Sequence, residues 1–483
     1  MKELIKNKWL YIAGYLYLLS SIYIFFLGNL HFYLSIPICI LMTVAFFKTI
    51  KNMPDIDNSI YKNKKLLILI VVIIIIWVLL AGTGGFIWQN TWDHKFRNAL
   101  FNDLVNYKWP VVRGGVALCY YYGFWLAAAI VGKIFGLTAG YLAQTLWAIM
   151  GIVIGFLTMS QFLKKMKFSN LLILIFYSGL DVLFFYIFSK LSFQEATMQM
   201  LGGKHIELIL NGFNSSSNTT LLFWLYNQII PFWIGMSLIL LQKNNKCLAF
   251  TYALLFLFAP FPMVALIPII IYLVFKNYNT NSLKGFKEKY IDKIISAITL
   301  PNVISLFIII PIGLFYMSNI AANKLNILDI DKDRIIRYIM YILFEFVIYI
   351  IFIYRSNRKD PILKILFITS LILPFIQLGN RFDFAYRTCI PLAFYIMLLV
   401  MKEINDKNTK KINKIFLIII LCIGAVTPMT EMIRTIRMEK EVLNNNIKPR
   451  SDALKSAFIK EGNQCYENFI ATRDTIFYTY FTK

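Results

Sequence analysis

The sequence predicts an all-α, polytopic integral membrane protein, and three observations support this fold class. First, 59% of the 483 residues are hydrophobic and 16% are aromatic. Second, apolar runs recur that are long enough to cross a bilayer, which takes roughly 17–25 residues per helix. Third, the lysines and arginines that give a formal charge of +24 fall mainly in short connectors between these runs, as the positive-inside rule describes. We therefore interpret the charge as a topology signal and expect no nucleic-acid partner.

The apolar runs define about 13 predicted transmembrane helices. Lysines precede the first run but no small-residue cleavage site follows it, so we expect a retained first helix. The third run contains a β-branched stretch at 71–76 that suits a strand, but a lone strand cannot satisfy its backbone in lipid. The run broken by Pro260 and Pro262 forms either two short helices or one kinked helix. In chain order the predicted spans are residues 9–27, 30–47, 66–81, 138–161, 168–189, 219–241, 247–258, 263–275, 298–318, 334–354, 362–378, 388–401 and 413–428.

The lysine distribution also predicts topology and domain organisation. The lysines at 164–167 fall on the cytoplasmic side only if residues 115–135 form a helix at the outer interface and do not cross. The Tyr and Trp cluster in that stretch is typical of an interfacial helix. We predict a transmembrane domain at 1–428, whose outer loop 82–137 carries interfacial helices, and a short extracytoplasmic tail at 429–483.

A polar and aromatic stretch at 84–104 lies on the predicted outer face. Asp93 is expected in the first turn of an amphipathic helix, with Arg97 as its i,i+4 partner. Helix electrostatics alone explain this pattern, or it provides a carboxylate held at the bilayer surface as a general base. Asp103 on the same helix is a second candidate catalytic acid, or only a solvated charge. His94 is a candidate substrate-binding group, although a surface histidine beside an acid is more often structural.

Polar side chains inside three predicted spans form a further set of candidates. Asp181 lies within a span, where an ionisable group is by default a functional-site hypothesis. Hydrogen bonds to neighbouring helices, or protonation, would also explain it. Glu345 is a weaker case of the same kind. Asn227 and Gln228 lie at the outer end of another span, where amides serve either as substrate contacts or as interhelical hydrogen-bonding groups.

A short outer-face turn before the span at 388–401 carries Arg381, Asp383 and Arg387. Arginines on the outer face run against the positive-inside trend and need a partner. The planar guanidinium fork suits phosphate. The partner is therefore a substrate phosphate, Asp383 itself, or lipid headgroups.

Several common site types are missing from the sequence. No Gly-rich phosphate loop and no HExxH motif occurs, and the three histidines support no Ser/His/Asp set. The six cysteines are scattered, without the spacing of a zinc site or a disulfide framework. The energy for any outer-face reaction would therefore have to come with an activated, lipid-linked substrate.

The arrangement resembles the GT-C class of polyprenyl-phosphate-dependent membrane glycosyltransferases. The local resemblance covers residues 82–161: an early acid in a long first outer loop, followed by the aromatic segment Tyr121-Tyr122-Gly123-Phe124-Trp125-Leu126 to Lys133-Ile134-Phe135-Gly136. Across most of the chain, the sequence looks similar to a poorly characterised group of bacterial multi-pass proteins. The large soluble C-terminal domain of some GT-C members is missing.

The resemblance implies transfer of a sugar from a polyprenyl-phosphate donor to a cell-envelope glycan or lipid acceptor. The location implied is the outer face of the bacterial cytoplasmic membrane, with the N-terminus inside and the C-terminus outside. Asp93 would be the catalytic acid of the first loop, and Arg381 or Arg387 would hold the donor phosphate. His94 stands where many members have a second acid, so a divalent metal is possible and no cofactor is certain.

Two rival functions share parts of this pattern. A transporter or flippase of lipid-linked glycans would use Asp181 and Glu345 to line a pathway, with the outer loops only as gates. An envelope polysaccharide polymerase would share the lipid donor and use a growing chain as acceptor.

Overall fold

The protein is nearly all-α, and its apolar helices indicate a membrane protein. The computed structural model describes residues 2–210, 212–276, 294–323, 325–328, 331–378, 382–452, 454–461 and 466–483, and it is 73% helical. Within these ranges, nine helices are long and apolar enough to cross a membrane. They are Lys6–Asn29, Phe32–Asn52, Leu137–Leu163, Phe168–Phe188, Asn218–Leu241, Leu300–Met317, Lys332–Asn357, Asp383–Asn405 and Lys411–Asn444.

The other predicted spans also coincide with helices, but with shorter ones. These are Lys64–Leu80, Leu248–Ala253, Pro260–Phe275 and the stretch Pro361–Phe375. The predicted spans are therefore confirmed as helical, whereas the count of 13 crossings remains a prediction. Among the described residues, the helices between the spans include Asp93–Asn106, Leu126–Phe135 and Phe193–Leu201.

Several of the predicted spans are broken or kinked. Pro260 occupies the first turn of its helix, where its missing N–H costs nothing, and a turn separates it from Leu248–Ala253. The Pro-broken pair is thus two short helices. The helix Asn218–Leu241 is kinked at Leu225, whose φ of −137° and ψ of 29° are not helical. The span that contains Asp181 is broken just before that residue, so Asp181 begins a new helix, Asp181–Phe188.

The predicted interfacial helix at 115–135 starts later than expected. Residues 112–113 and 116–118 form a β-hairpin instead, and a 3₁₀ turn at Gly123–Trp125 leads into Leu126–Phe135. Gly114 and Gly115 both have positive φ, as a tight hairpin turn requires. The second hairpin strand pairs with Ile470–Thr472 near the C-terminus, a partner that local sequence cannot reveal.

The residues after Asn444, here called the C-terminal segment, pack on the loop at 82–137. The helix Val426–Asn444 crosses the predicted boundary at 428, and the chain then folds back. Asn98 donates to the carbonyl of Ser451 at 2.8 Å, and the amide of Ala457 donates to Asp103 at 2.8 Å. The C-terminal segment is therefore packed against this loop through Ser451 and Ala457.

Candidate functional site

A cavity of about 490 Å³ lies where the loop at 82–137, the start of the Asp383–Asn405 helix and the C-terminal segment meet. Its wall combines charged, amide, hydroxyl and aromatic groups, a composition that suits a polar ligand with an apolar portion. The lining residues are Trp92, Asp93, Phe96, Arg97, Tyr120, Tyr121, His205, Asn214, Ser216, Thr220, Leu221, Trp224, Leu225, Gln377, Phe382, Asp383, Tyr386, Arg387, Asn468 and Phe469.

Asp93 and Arg97 form the first charged pair of the cavity. The helix begins at Asp93, as expected, so the carboxylate lies in the first turn and faces the positive end of the helix dipole. Asp93 Oδ2 lies 3.1 Å from Arg97 Nη2, and the Asp93 side chain is 32% exposed. Arg97 is buried, and its guanidinium lies 5.3 Å from the centre of the Tyr226 ring. The pair thus presents an accessible carboxylate to the cavity, next to a buried guanidinium cation.

Asp383 and Arg387 form a second pair with the same spacing. Arg387 Nη2 lies 3.2 Å from Asp383 Oδ2, and Nη1 donates to the Tyr121 hydroxyl at 2.6 Å. The guanidinium also lies over the rings of Tyr121 and Phe261, at 5.4 and 5.6 Å. Asp383 is 43% exposed, whereas Arg387 is buried. The predicted partner of this arginine is therefore found in Asp383, while Arg381 lies outside the described residues.

His205 also lines the cavity, although the sequence did not single it out as a site residue. Its Nδ1 lies 2.6 Å from Glu431 Oε1. Burial alone would lower the pKa of His205, but the hydrogen bond and negative charge of Glu431 outweigh burial and raise it. The two residues are 226 positions apart in the chain. No local pattern joins them, so the only sequence signal was a histidine in an outer loop.

His94 and Asp103 are on the same helix as Asp93 but do not line the cavity. His94 is fully buried and its ring stacks 6.0 Å from that of Tyr226. Burial and the nearby charge of Arg97 lower its pKa to about 3, so the imidazole is neutral at pH 7. Asp103 accepts hydrogen bonds from Ser456 and Ala457, and burial raises its pKa to about 6. Asp103 therefore fixes the C-terminal segment in place, and the expectation of a solvated charge is wrong because that segment covers it.

The predicted amides Asn227 and Gln228 lie outside the cavity lining, and Asn227 contacts a lining residue. Asn227 donates to the carbonyl oxygen of Tyr121 at 3.4 Å and so helps to position a lining residue. Gln228 is buried, and within the described part of the chain neither of its amide atoms has a hydrogen-bond partner. Asn227 and Gln228 are both absent from the cavity lining.

Three buried carboxyls lie behind the wall formed by Thr220. The Thr220 hydroxyl donates to Glu207 Oε1 at 2.7 Å. Burial and the charge of Asp181 raise the pKa of Glu207 to about 7. Asp181 accepts from the Ser178 hydroxyl at 2.9 Å, and the electrostatic influence of Glu345 reaches both of the other acids. Asp181 is thus grouped with other buried acids, next to the cavity but not in its lining.

Gly179 makes room for the innermost carboxyl. A Cβ at this position would lie 1.9 Å from Glu345 Oε2, so any other residue would displace the acid.

The described residues contain no group of three or more His, Cys, Asp or Glu side chains placed to hold a metal ion. The cavity's own two carboxylates, Asp93 and Asp383, therefore supply too few ligands for us to assign it a metal.

No family model matches the chain, and no curated protein or solved structure is detectably similar to it.

Proposed function

We propose that the protein is a membrane glycosyltransferase of GT-C type. It would transfer a sugar from a polyprenyl-phosphate donor to a cell-envelope glycan or lipid acceptor on the outer face of a bacterial cytoplasmic membrane. The observation that carries the proposal is the meeting of two pairs, Asp93–Arg97 and Asp383–Arg387, in one cavity of an apolar, multi-helix protein.

The cavity has the groups that such a transfer needs. An acceptor hydroxyl would lose its proton to the Asp93 carboxylate as its oxygen bonds to the anomeric carbon of the donor sugar. The bond between that carbon and the phosphate oxygen breaks, and its electron pair leaves on the phosphate. Arg97 is buried and paired with Asp93, so its positive charge becomes available to the departing phosphate when Asp93 takes up the proton. Aromatic rings such as Trp92 and Phe469 offer faces for the sugar.

The test is mass spectrometry of lipid-linked sugars and envelope glycans from cells that produce each variant. Asp93→Asn should abolish the product, because the amide cannot accept the proton, while the amount of protein in the membrane stays normal. Asp333→Asn is a matched control: Asp333 also lies in the first turn of a helix and pairs with an arginine at i,i+4, with 2.6 Å to Arg337 Nε, but it is 67% exposed and outside the cavity. A normal product from Asp93→Asn would overturn the assignment. A polymerase would reveal itself in the same spectra by a loss of long chains with short acceptors unchanged.

Transport of a lipid-linked glycan is the second candidate, and the buried acids Asp181, Glu207 and Glu345 favour it. Ionisable groups buried between membrane helices commonly line ion or substrate pathways. In vesicles that contain the purified protein, movement of a fluorescent lipid-linked sugar between leaflets should then fail in Asp181→Asn and persist in Asp93→Asn. The glycosyltransferase proposal predicts the reverse order of damage for product formation.

A further inference from the structure

His205 is held at the cavity by one edge of its ring. Nδ1 lies 2.6 Å from Glu431 Oε1, and the side chain is 17% exposed. The ring also packs against that of Trp224, with 5.1 Å between the centres. Because Nδ1 is engaged, the orientation of the imidazole is fixed, and Nε2 at the opposite edge remains as its second hydrogen-bonding atom.

Glu431 is itself anchored on its other oxygen. Oε2 accepts from Arg434 Nη2 at 2.5 Å and from Trp224 Nε1 at 3.4 Å, and the Glu431 side chain is only 2% exposed. A buried, hydrogen-bonded carboxylate beside an imidazole stabilises its protonated form. Glu431 therefore has the geometry of a group that positions His205 and controls its charge.

Other charged groups also act on His205. Glu207 adds negative charge and Arg434 adds positive charge, while Asp181 is close enough for an electrostatic interaction with the ring. Burial disfavours the imidazolium, but Glu431 outweighs burial and leaves the pKa of His205 raised above its ordinary value. The ring is thus protonated over a wider pH range than a solvent-exposed histidine.

The charge of His205 decides the charge of the cavity wall. Arg97 and Arg387 are each paired with their own aspartate, so each of these pairs is close to neutral. Glu431 is likewise compensated by Arg434. Protonated His205 then adds the net positive charge among the lining residues, and neutral His205 removes it.

We propose that His205, positioned by Glu431, is a pH-dependent anion-binding group that lets the cavity hold a phosphodiester when the imidazole is protonated and release it when the proton is lost. The choice of a phosphodiester rests on the proposed function, because a polyprenyl-phosphate sugar belongs to this class. The anion site itself does not depend on whether the ligand is a donor for transfer or a cargo for transport.

The test is equilibrium binding of dibutyl phosphate to the purified full-length protein in detergent, followed by tryptophan fluorescence. Trp92 and Trp224 line the cavity and provide the signal. The probe carries one charge across the pH range used, so the probe itself does not titrate. Between about pH 6 and about pH 9, on either side of the ordinary histidine pKa, affinity should fall as the imidazole deprotonates. Glu207, with a pKa of about 7, also titrates in this range, so every protein is also measured with Glu207→Gln, in which the fall should persist as long as His205 is present. We expect a loss of about tenfold, which corresponds to about 1.4 kcal/mol.

Three variants separate the charge of His205 from a structural role. His205→Gln should bind at every pH with the weak affinity that the wild-type protein has at high pH. His205→Lys should keep the tight affinity of the wild-type protein at low pH throughout, because lysine titrates only at about pH 10.4. Glu431→Gln should move the loss of affinity to lower pH, because the ring loses its stabilising carboxylate. Lys204→Gln is the matched control, since it removes an exposed positive charge next to His205 in sequence and outside the cavity lining.

A pH dependence that survives in His205→Gln would overturn the proposal, as would failure of the wild-type protein to bind the probe at any pH. Retained binding by His205→Lys shows that an altered fold does not explain the loss in His205→Gln. If binding fails but Asp93→Asn still abolishes glycan product, only this inference is lost. If binding follows His205 but Asp93→Asn leaves the product normal, the anion site stands and the glycosyltransferase assignment fails.

Discussion

The two cavity pairs, Asp93–Arg97 and Asp383–Arg387, share their spacing and their place in the first turn of a helix. They differ in how many hydrogen-bond donors of the arginine have a partner. Both Nη atoms of Arg387 are engaged: Nη1 donates to the Tyr121 hydroxyl, and Nη2 pairs with Asp383. Arg97 pairs with Asp93 through Nη2, while its buried Nη1 has no hydrogen-bond partner among the described residues. A buried donor without a partner is costly. The comparison therefore indicates that neighbouring side chains engage both Nη atoms of Arg387, whereas among the described residues they engage only one Nη atom of Arg97.

The largest expected effect is on Arg97. Arg97→Lys keeps the charge but loses the planar fork, so it should reduce transfer by about 100-fold, the usual effect of removing one donor to a developing negative charge. The protein should unfold at nearly its normal temperature, because the lysine still reaches Asp93. The measurement is the rate of product formation together with thermal unfolding in detergent. A large drop in unfolding temperature alongside the loss of activity would contradict this prediction, because Arg97 would then stabilise the fold as Arg387 does.

The next effect is on Arg387, and we expect it in stability. Arg387→Met leaves the Tyr121 hydroxyl and the Asp383 carboxylate without their donor, which should cost about 2–3 kcal/mol. The measurement is thermal unfolding of the purified protein. The matched control is Arg337→Met, which breaks the Asp333–Arg337 pair, whose carboxylate is 67% exposed, and should cost less than about 1 kcal/mol. A similar loss from both variants would show that burial of Arg387 adds nothing.

Much of the architecture follows from the sequence because its signals are local. Runs of apolar residues predicted the membrane helices, and the position of Asp93 predicted the start of a helix. The i,i+4 spacing of Asp93 and Arg97 predicted their pairing, and the excess of outer-face arginine charge predicted that Arg387 has a partner. Such features depend on residues within one or two turns, so they are visible without a partner from elsewhere in the chain.

The tertiary structure decided which of these groups act together. It brought the two Asp–Arg pairs to one cavity, paired His205 with Glu431, and closed the outer layer with the C-terminal segment. It also removed Asp103 and His94 from the cavity by burying both side chains. These outcomes depend on packing between helices that are far apart in sequence, where neither periodicity nor charge runs carry information. The sequence by itself determined the helices, the charges and their local partners, whereas the identity of the site came only from long-range contacts.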